Sequence, residues 1–117
     1  MSENIKIAVK LGPEQYIREV VKKGGEWGFL VRESVPVISS ILLMDLSVRE
    51  SILYSANLGG DADSISAIIG AIIASIKGID NLNDFINIIA NENRSLLCKI
   101  LELSDSLTGF DVFFEGR

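Results

Sequence analysis

The stretch NLGGDADSISAIIGAIIASIKG, residues 57–78, decides how this chain is read. Two carboxylates, Asp61 and Asp63, stand one residue apart beside the Gly59-Gly60 pair, and one of the most apolar runs in the chain follows at once. From residue 63 the run has the length of a helix. It ends on Lys77-Gly78, a basic residue and a glycine that suit a helix C-terminus. Unpaired backbone N–H groups at the start of such a helix favour negative charge by roughly 0.3–1 kcal/mol. Asp63 therefore suits an N-cap. A cap accounts for one acid and leaves the other. Two acids at i and i+2, with the Ser64 hydroxyl at i+3, converge on one point where the chain turns into the helix, and Gly59-Gly60 supply the freedom for that turn. Two carboxylates and a hydroxyl form a hard-oxygen set, suited to Mg²⁺, Mn²⁺ or Ca²⁺ rather than zinc. The spacing alone leaves a metal site and a double-acid cap both open.

The helix behind the acids carries small residues in rows. Ser66, Gly70 and Ala74 recur every four residues, and Ala67, Ala71 and Ser75 form a second row. A mid-helix glycine costs about 1 kcal/mol relative to alanine. That cost is expected where a neighbouring helix approaches closely and buries the isoleucines on either side. A rigid central helix is also where a metal site is best anchored.

Working outward, punctuation divides the rest of the chain into further helices. Gly12-Pro13 places proline where a first helical residue belongs, and residues 14–23 carry Tyr16, Ile17, Val20 and Val21 at helical spacing before Gly24-Gly25. A loop through Glu26, Trp27 and Gly28 leads to a helix over 34–44, with Pro36 in its first turn. Ser47-Val48-Arg49-Glu50 is a capping box that opens a helix over 48–56. Asp80 or Asn83 caps a fifth helix with Phe85, Ile86, Ile88 and Ile89 facing inward, and a sixth covers 95–103. Strand signals are poor: Ile5 to Val9 alternates weakly and Val112-Phe113-Phe114 is short. The tetrapeptide Val-Arg-Glu-Ser occurs at Val31 and at Val48 but is too short to count as a repeat unit, and its recurrence reads as coincidence. The expected fold is all-α, of about five or six helices in a single partial domain spanning 1–117.

Bulk properties exclude several classes. At 48% hydrophobic and 23% charged residues the chain is globular rather than disordered. A net charge of −5 argues against nucleic acid and against an anionic membrane surface. There is no histidine, which removes Ser-His-Asp chemistry and histidine zinc sites together. The lone Cys98 lies in an apolar stretch and is expected to be a buried, inert thiol. No apolar run reaches the ~20 residues that span a bilayer, and residues 1–10 lack the core of a signal peptide. The expected location is cytoplasmic.

At residues 53–80, LYSANLGGDADSISAIIGAIIASIKGID, the chain resembles the C-terminal signature of the ADP-ribosylglycohydrolase family. That signature runs Asn-x-Gly-Gly-Asp-x-Asp-Thr into a small-residue helix and a closing glycine. Asn57, Gly59, Gly60, Asp61, Asp63, Ala67, Gly70, Ala71 and Gly78 match it. Upstream, EWGFLVRESVPVISSILL is similar to the family segment in which a glycine–aromatic turn leads into a helix, so the resemblance covers residues 24–103. It implies an all-α hydrolase that binds Mg²⁺ (or Mn²⁺) and cleaves the N- or O-glycosidic bond joining ADP-ribose to an arginine, serine or similar acceptor. Carried over by motif, Asp61, Asp63 and Ser64 are metal ligands, and Phe29 lies where family members contact the adenosine of the ligand. The residues themselves place Phe29 or Trp27 equally well in the core.

Departures from the family pattern are as informative. Family enzymes are longer and carry a Thr/Ser-Asp-Asp cluster that supplies the remaining metal ligands, together with a Gly-rich block and a catalytic acid. None of these occurs in the sequence, and Ser64 replaces the usual threonine. No catalytic residue is assigned. The chain looks like the C-terminal part of such an enzyme. The expected partners are ADP-ribose or an ADP-ribosylated protein, with a separate N-terminal half or a homo-oligomer covering exposed apolar helix faces. The alternative is a non-catalytic binding or interaction module, or a truncated family remnant.

Overall fold

The computed structural model describes residues 2–24 and 27–115, with 109–115 described as backbone only. Among the described residues the fold is all-α and has seven helices, more than the five or six expected from sequence. They are α1 (Ser2–Leu11), α2 (Pro13–Lys22), α3 (Val31–Leu42), α4 (Val48–Ala56), α5 (Ala62–Lys77), α6 (Asn83–Glu92) and α7 (Arg94–Glu115), with one 3₁₀ turn at Asp80–Leu82. The chain divides into two units, Met1–Asn81 and Leu82–Arg117.

The additional helix is α1, where Ile5 to Val9 alternates too weakly to make a strand. Ala8 is fully buried, and α1 packs on both α2 and α3. Gly12, at φ 84, donates its N–H to the Ala8 carbonyl and accepts from Tyr16, so it closes α1 and opens α2 in one residue. Pro13 takes the first helical position of α2.

The third helix starts earlier than its sequence suggested. α3 begins at Val31, so Pro36 sits inside the helix rather than in its first turn. Its ring removes the backbone bond to the carbonyl four residues back. Full burial of Pro36 and its neighbours Val37, Ile38 and Ile41 offsets that loss. α3 is the central element of the first unit, in contact with α1, α2, α4 and α5.

Both Val-Arg-Glu-Ser segments open a helix, α3 and α4. In each, the glutamate turns back to accept a backbone N–H ahead of the helix, Gly28 for Glu33 and Ser47 for Glu50. In each, the serine donates to the carbonyl four residues back. The recurrence is a helix-opening device used twice. At α4 the box is complete, since Ser47 Oγ also accepts the Glu50 N–H at 3.2 Å. Ser47→Ala removes that acceptor and is expected to cost about 1 kcal/mol. In thermal unfolding followed by circular dichroism this lowers Tm by roughly 4–8 °C for a unit of this size.

The expected close approach at Gly70 is present, and it is made by α4. A Cβ on Gly70 would stand 3.3 Å from Ile52 Cγ1. One turn earlier the hydroxyls of Ser55 and Ser66 meet at 3.0 Å. Ile65, Ile69 and Ile73 are buried as well. The other flank differs from expectation: Ile68, Ile72 and Ile76 are exposed, as is the Ala67, Ala71, Ser75 row.

In the second unit α6 packs on α7. Phe85 and Ile86 are half-buried, but Ile88 and Ile89, expected to face inward, are exposed. Cys98 is exposed rather than buried. The apolar residues around it do not enclose it, because α7 presents nearly its whole described circumference outward. Among the described residues no helix is long and apolar enough to cross a membrane.

Candidate metal centre

The three sequence-predicted oxygen ligands sit at the start of α5. Asp61 is the residue before its first turn, its carbonyl accepting the Ile65 N–H at 3.1 Å. The Asp61 side chain makes no capping bond. It accepts a hydrogen bond from Ser64 Oγ at 3.0 Å instead. The Asp63 carboxyl is held below the usual carboxylate range, first by its hydrogen bond with the Asp61 side chain, then by the backbone N–H groups of Ser64 and of Asp63 itself. The structure thus brings Asp61, Asp63 and Ser64 together, with Asp61 half-buried and the other two exposed.

What holds this corner in place was not evident from sequence. The Trp27-Gly28 turn packs directly on it. A Cβ on Gly28 would come 2.9 Å from the Asp61 backbone nitrogen, and one on Gly60 would come 2.6 Å from the Trp27 carbonyl and 2.8 Å from its indole Cε2. Only residues without a side chain allow two backbones this close. The turn is braced from below by α3. Gly28 N–H donates to Glu33 Oε2 at 3.2 Å, and Ser34 Oγ donates to the Gly28 carbonyl at 2.8 Å. Gly25 and Glu26, expected in this loop, lie outside the described residues.

The two aromatics of the turn separate. Trp27 is buried against Gly60, which fits the core reading, whereas Phe29 is 64% exposed and is not core. A groove of about 760 Å³ lined by Asn4, Tyr16, Arg32 and Glu33 lies between α1, α2 and the start of α3, and contains none of the three oxygen ligands.

The chain matches the ADP-ribosylglycohydrolase family over residues 2–109. It belongs to that family. The match extends the pattern upstream of the glycine turn, over α1 and α2, and downstream into α7. No curated protein and no solved structure matches.

For an ADP-ribosylglycohydrolase, the donor set can be weighed against a divalent cation. Two carboxylates and a hydroxyl drawn together are of the right chemistry for Mg²⁺ or Mn²⁺. They are only part of a coordination sphere, and among the described residues no group of three or more Asp, Glu, His or Cys side chains is placed to hold a metal.

The site has a pH signature. A carboxyl whose folded pKa lies below its unfolded one contributes stability above the unfolded value and loses it as pH falls through the folded one. Asp63 behaves this way, as do Asp45, through its hydrogen bond to Lys77, and Glu50, through its bonds with Ser47. Stability is therefore expected to fall below about pH 4, the ordinary carboxylate range. Urea titrations from pH 5 to 2.5 check this: the Asp63→Asn curve is expected to be flatter than wild type in that window.

Proposed function

We propose that this chain supplies part of a divalent-cation centre for hydrolysing the glycosidic bond between ADP-ribose and a protein side chain. Asp61, Asp63 and Ser64 would hold Mg²⁺ or Mn²⁺. The observation that carries the reading is the Ser64–Asp61 hydrogen bond with the Asp63 carboxyl alongside, in a chain of this family. When bound, the cation supplies a Lewis acid that orients sugar hydroxyls and water.

The chain's own residues do the rest. Asp63 stays ionised well below neutral pH. The braced Trp27-Gly28 turn fixes Asp61, and the exposed Phe29 ring offers a flat face to the adenine of ADP-ribose. In the net reaction, a water oxygen bonds to the anomeric carbon, the bond to the acceptor nitrogen or oxygen breaks, and a proton ends on the acceptor. The missing ligands would come from an N-terminal half that bears Thr-Asp-Asp, or from a second copy. Ile68, Ile72 and Ile76 on α5 form an apolar face that a completing half would cover.

Two measurements test this. Mn²⁺ binding is read by calorimetry and by quenching of Trp27, the one tryptophan in the chain. It is expected to weaken roughly 10- to 100-fold in Asp61→Asn and Asp63→Asn, each of which removes a charged ligand. A mixture with an N-terminal half is expected to release ADP-ribose from an ADP-ribosylated peptide, and the same substitutions should abolish release. An inert mixture, with Mg²⁺ and Mn²⁺ both supplied, would sink the hydrolase reading. The absence of a third carboxylate beside the pair, among the described residues, favours a second reading, a non-catalytic ADP-ribose-binding module. Ligand binding without turnover is its signature.

A further inference from the structure

The groove between α1, α2 and the start of α3 has a chemistry that the acidic corner does not explain. Its volume, about 760 Å³, falls within the range of about 300–1,000 Å³ that small-molecule sites occupy. Ile7 and Leu11 from α1 and Val20 from α2 make part of its wall apolar.

Tyr16 is the residue that points to a ligand. It lines the groove and is 6% exposed, yet its hydroxyl has no hydrogen-bond partner among the described residues. Buried hydroxyls are ordinarily bonded. Among the described residues no fully enclosed side-chain oxygen or nitrogen lacks a partner, so the Tyr16 Oη reaches open space, and the groove is the space that this residue lines. Burial, and after it the Glu33 charge, push the phenol above its ordinary pKa. It therefore keeps its proton at neutral pH and is a donor.

The charges around it differ in what they leave unmatched. Glu19 Oε1 already accepts from Gln15 Nε2 at 3.1 Å and from Lys22 Nζ at 3.2 Å. Glu33 Oε2 accepts the Gly28 N–H. The side chains of Arg32 and Lys23, which also line the groove, hold no hydrogen bond or ion pair among the described residues. Two unpaired cations and a phenol donor thus stand against one acid, Glu33, that no cation neutralises.

We propose that this groove binds a small organic anion, its carboxylate or phosphate held by Arg32 and the Tyr16 hydroxyl and its apolar body laid on Ile7, Leu11 and Val20. A guanidinium presents its donors in a planar fork that suits either head group. Lys23 adds a second positive charge. None of Asp61, Asp63 and Ser64 lines the groove, so the inference does not rest on the metal centre.

Benzoate, phenyl phosphate and neutral benzyl alcohol are the probes, each titrated into the isotope-labelled full chain in EDTA and followed by backbone amide shifts in NMR. The two anions distinguish the head groups. Saturable shifts in α1, α2 and the start of α3 are expected from at least one of them, with a Kd about tenfold or more below that of benzyl alcohol. Arg32→Gln is expected to weaken that anion roughly 10- to 100-fold and Tyr16→Phe roughly 3- to 10-fold. Tyr16→Phe should leave Tm unchanged, because the hydroxyl it removes bonds nothing in the chain. Asp63→Asn, at the acidic corner, is expected to leave anion binding as it is. No saturable shift from either anion, equal binding of benzyl alcohol, a wild-type Kd in Arg32→Gln or Tyr16→Phe, a lowered Tm in Tyr16→Phe, or binding lost in Asp63→Asn would each overturn the proposal.

Discussion

Gly60→Ala is expected to be the most damaging small substitution in the first unit. Its added methyl would sit 2.6 Å from the Trp27 carbonyl and 2.8 Å from the indole, against backbone and a buried ring that have little room to retreat. The backbone there is at φ +63, which a side chain also disfavours. Overpacking of this kind costs about 1–3 kcal/mol and the left-handed conformation about 1–2 kcal/mol. Together they remove roughly 2–5 kcal/mol, a large share of what a domain this size possesses. Gly59→Ala is the control that separates the two effects. Gly59 is also at positive φ, +76, but a Cβ there meets nothing within 4 Å. It should lose only the conformational part, about 1 kcal/mol. Equal thermal shifts in the two variants would mean that the turn carrying Trp27 does not press on the start of α5. In Gly60→Ala the tryptophan emission should also move red as the indole is pushed toward water.

Ile69→Ala attacks the same helix from its buried side. Ile69 is fully buried on α5, which packs on both α4 and α3. Large-to-small changes of this kind cost about 2–5 kcal/mol. The urea midpoint is expected to fall with little change in slope, because the surface exposed on unfolding stays nearly the same. Ile68→Ala, one residue earlier and 46% exposed, is expected to cost less than about 1 kcal/mol. If the two cost the same, Ile69 is not part of the core.

Much of this was legible in the sequence where the cause is local. A capping box is written within four residues, and Ser47 to Glu50 forms it as expected. The Gly12-Pro13 junction and the glycine closing α5 are equally local. The hydrogen bond from Ser64 to Asp61 follows from their spacing at a helix start. Gly70 announced a close neighbour, though not that the neighbour was Ile52.

The features that escaped depend on distant parts of the chain. Ile5 to Val9 has no decisive period of its own, and its helix is set by packing of α1 on α3. Pro36 looked like a first-turn proline in a helix starting at Ser34, yet α3 starts at Val31 with Leu30 as its cap. The pairing of Trp27 with Gly60, and of Gly28 with Asp61, joins segments on opposite sides of two helices. One clue was present: Val-Arg-Glu-Ser opens both α3 and α4, and in the first copy its glutamate and serine hold the turn that supports Asp61.

The far end of α5 is fastened as well as the near one. Lys77 Nζ donates to Asp45 Oδ1 at 2.8 Å and to the Leu46 carbonyl at 2.9 Å, tying the last turn to the loop between α3 and α4. With the Trp27 turn seated at its head, α5 is tied at both ends to the loops that flank α3. The start of the helix and its last turn thus share one support, so a change in α3 reaches the acidic corner from both sides.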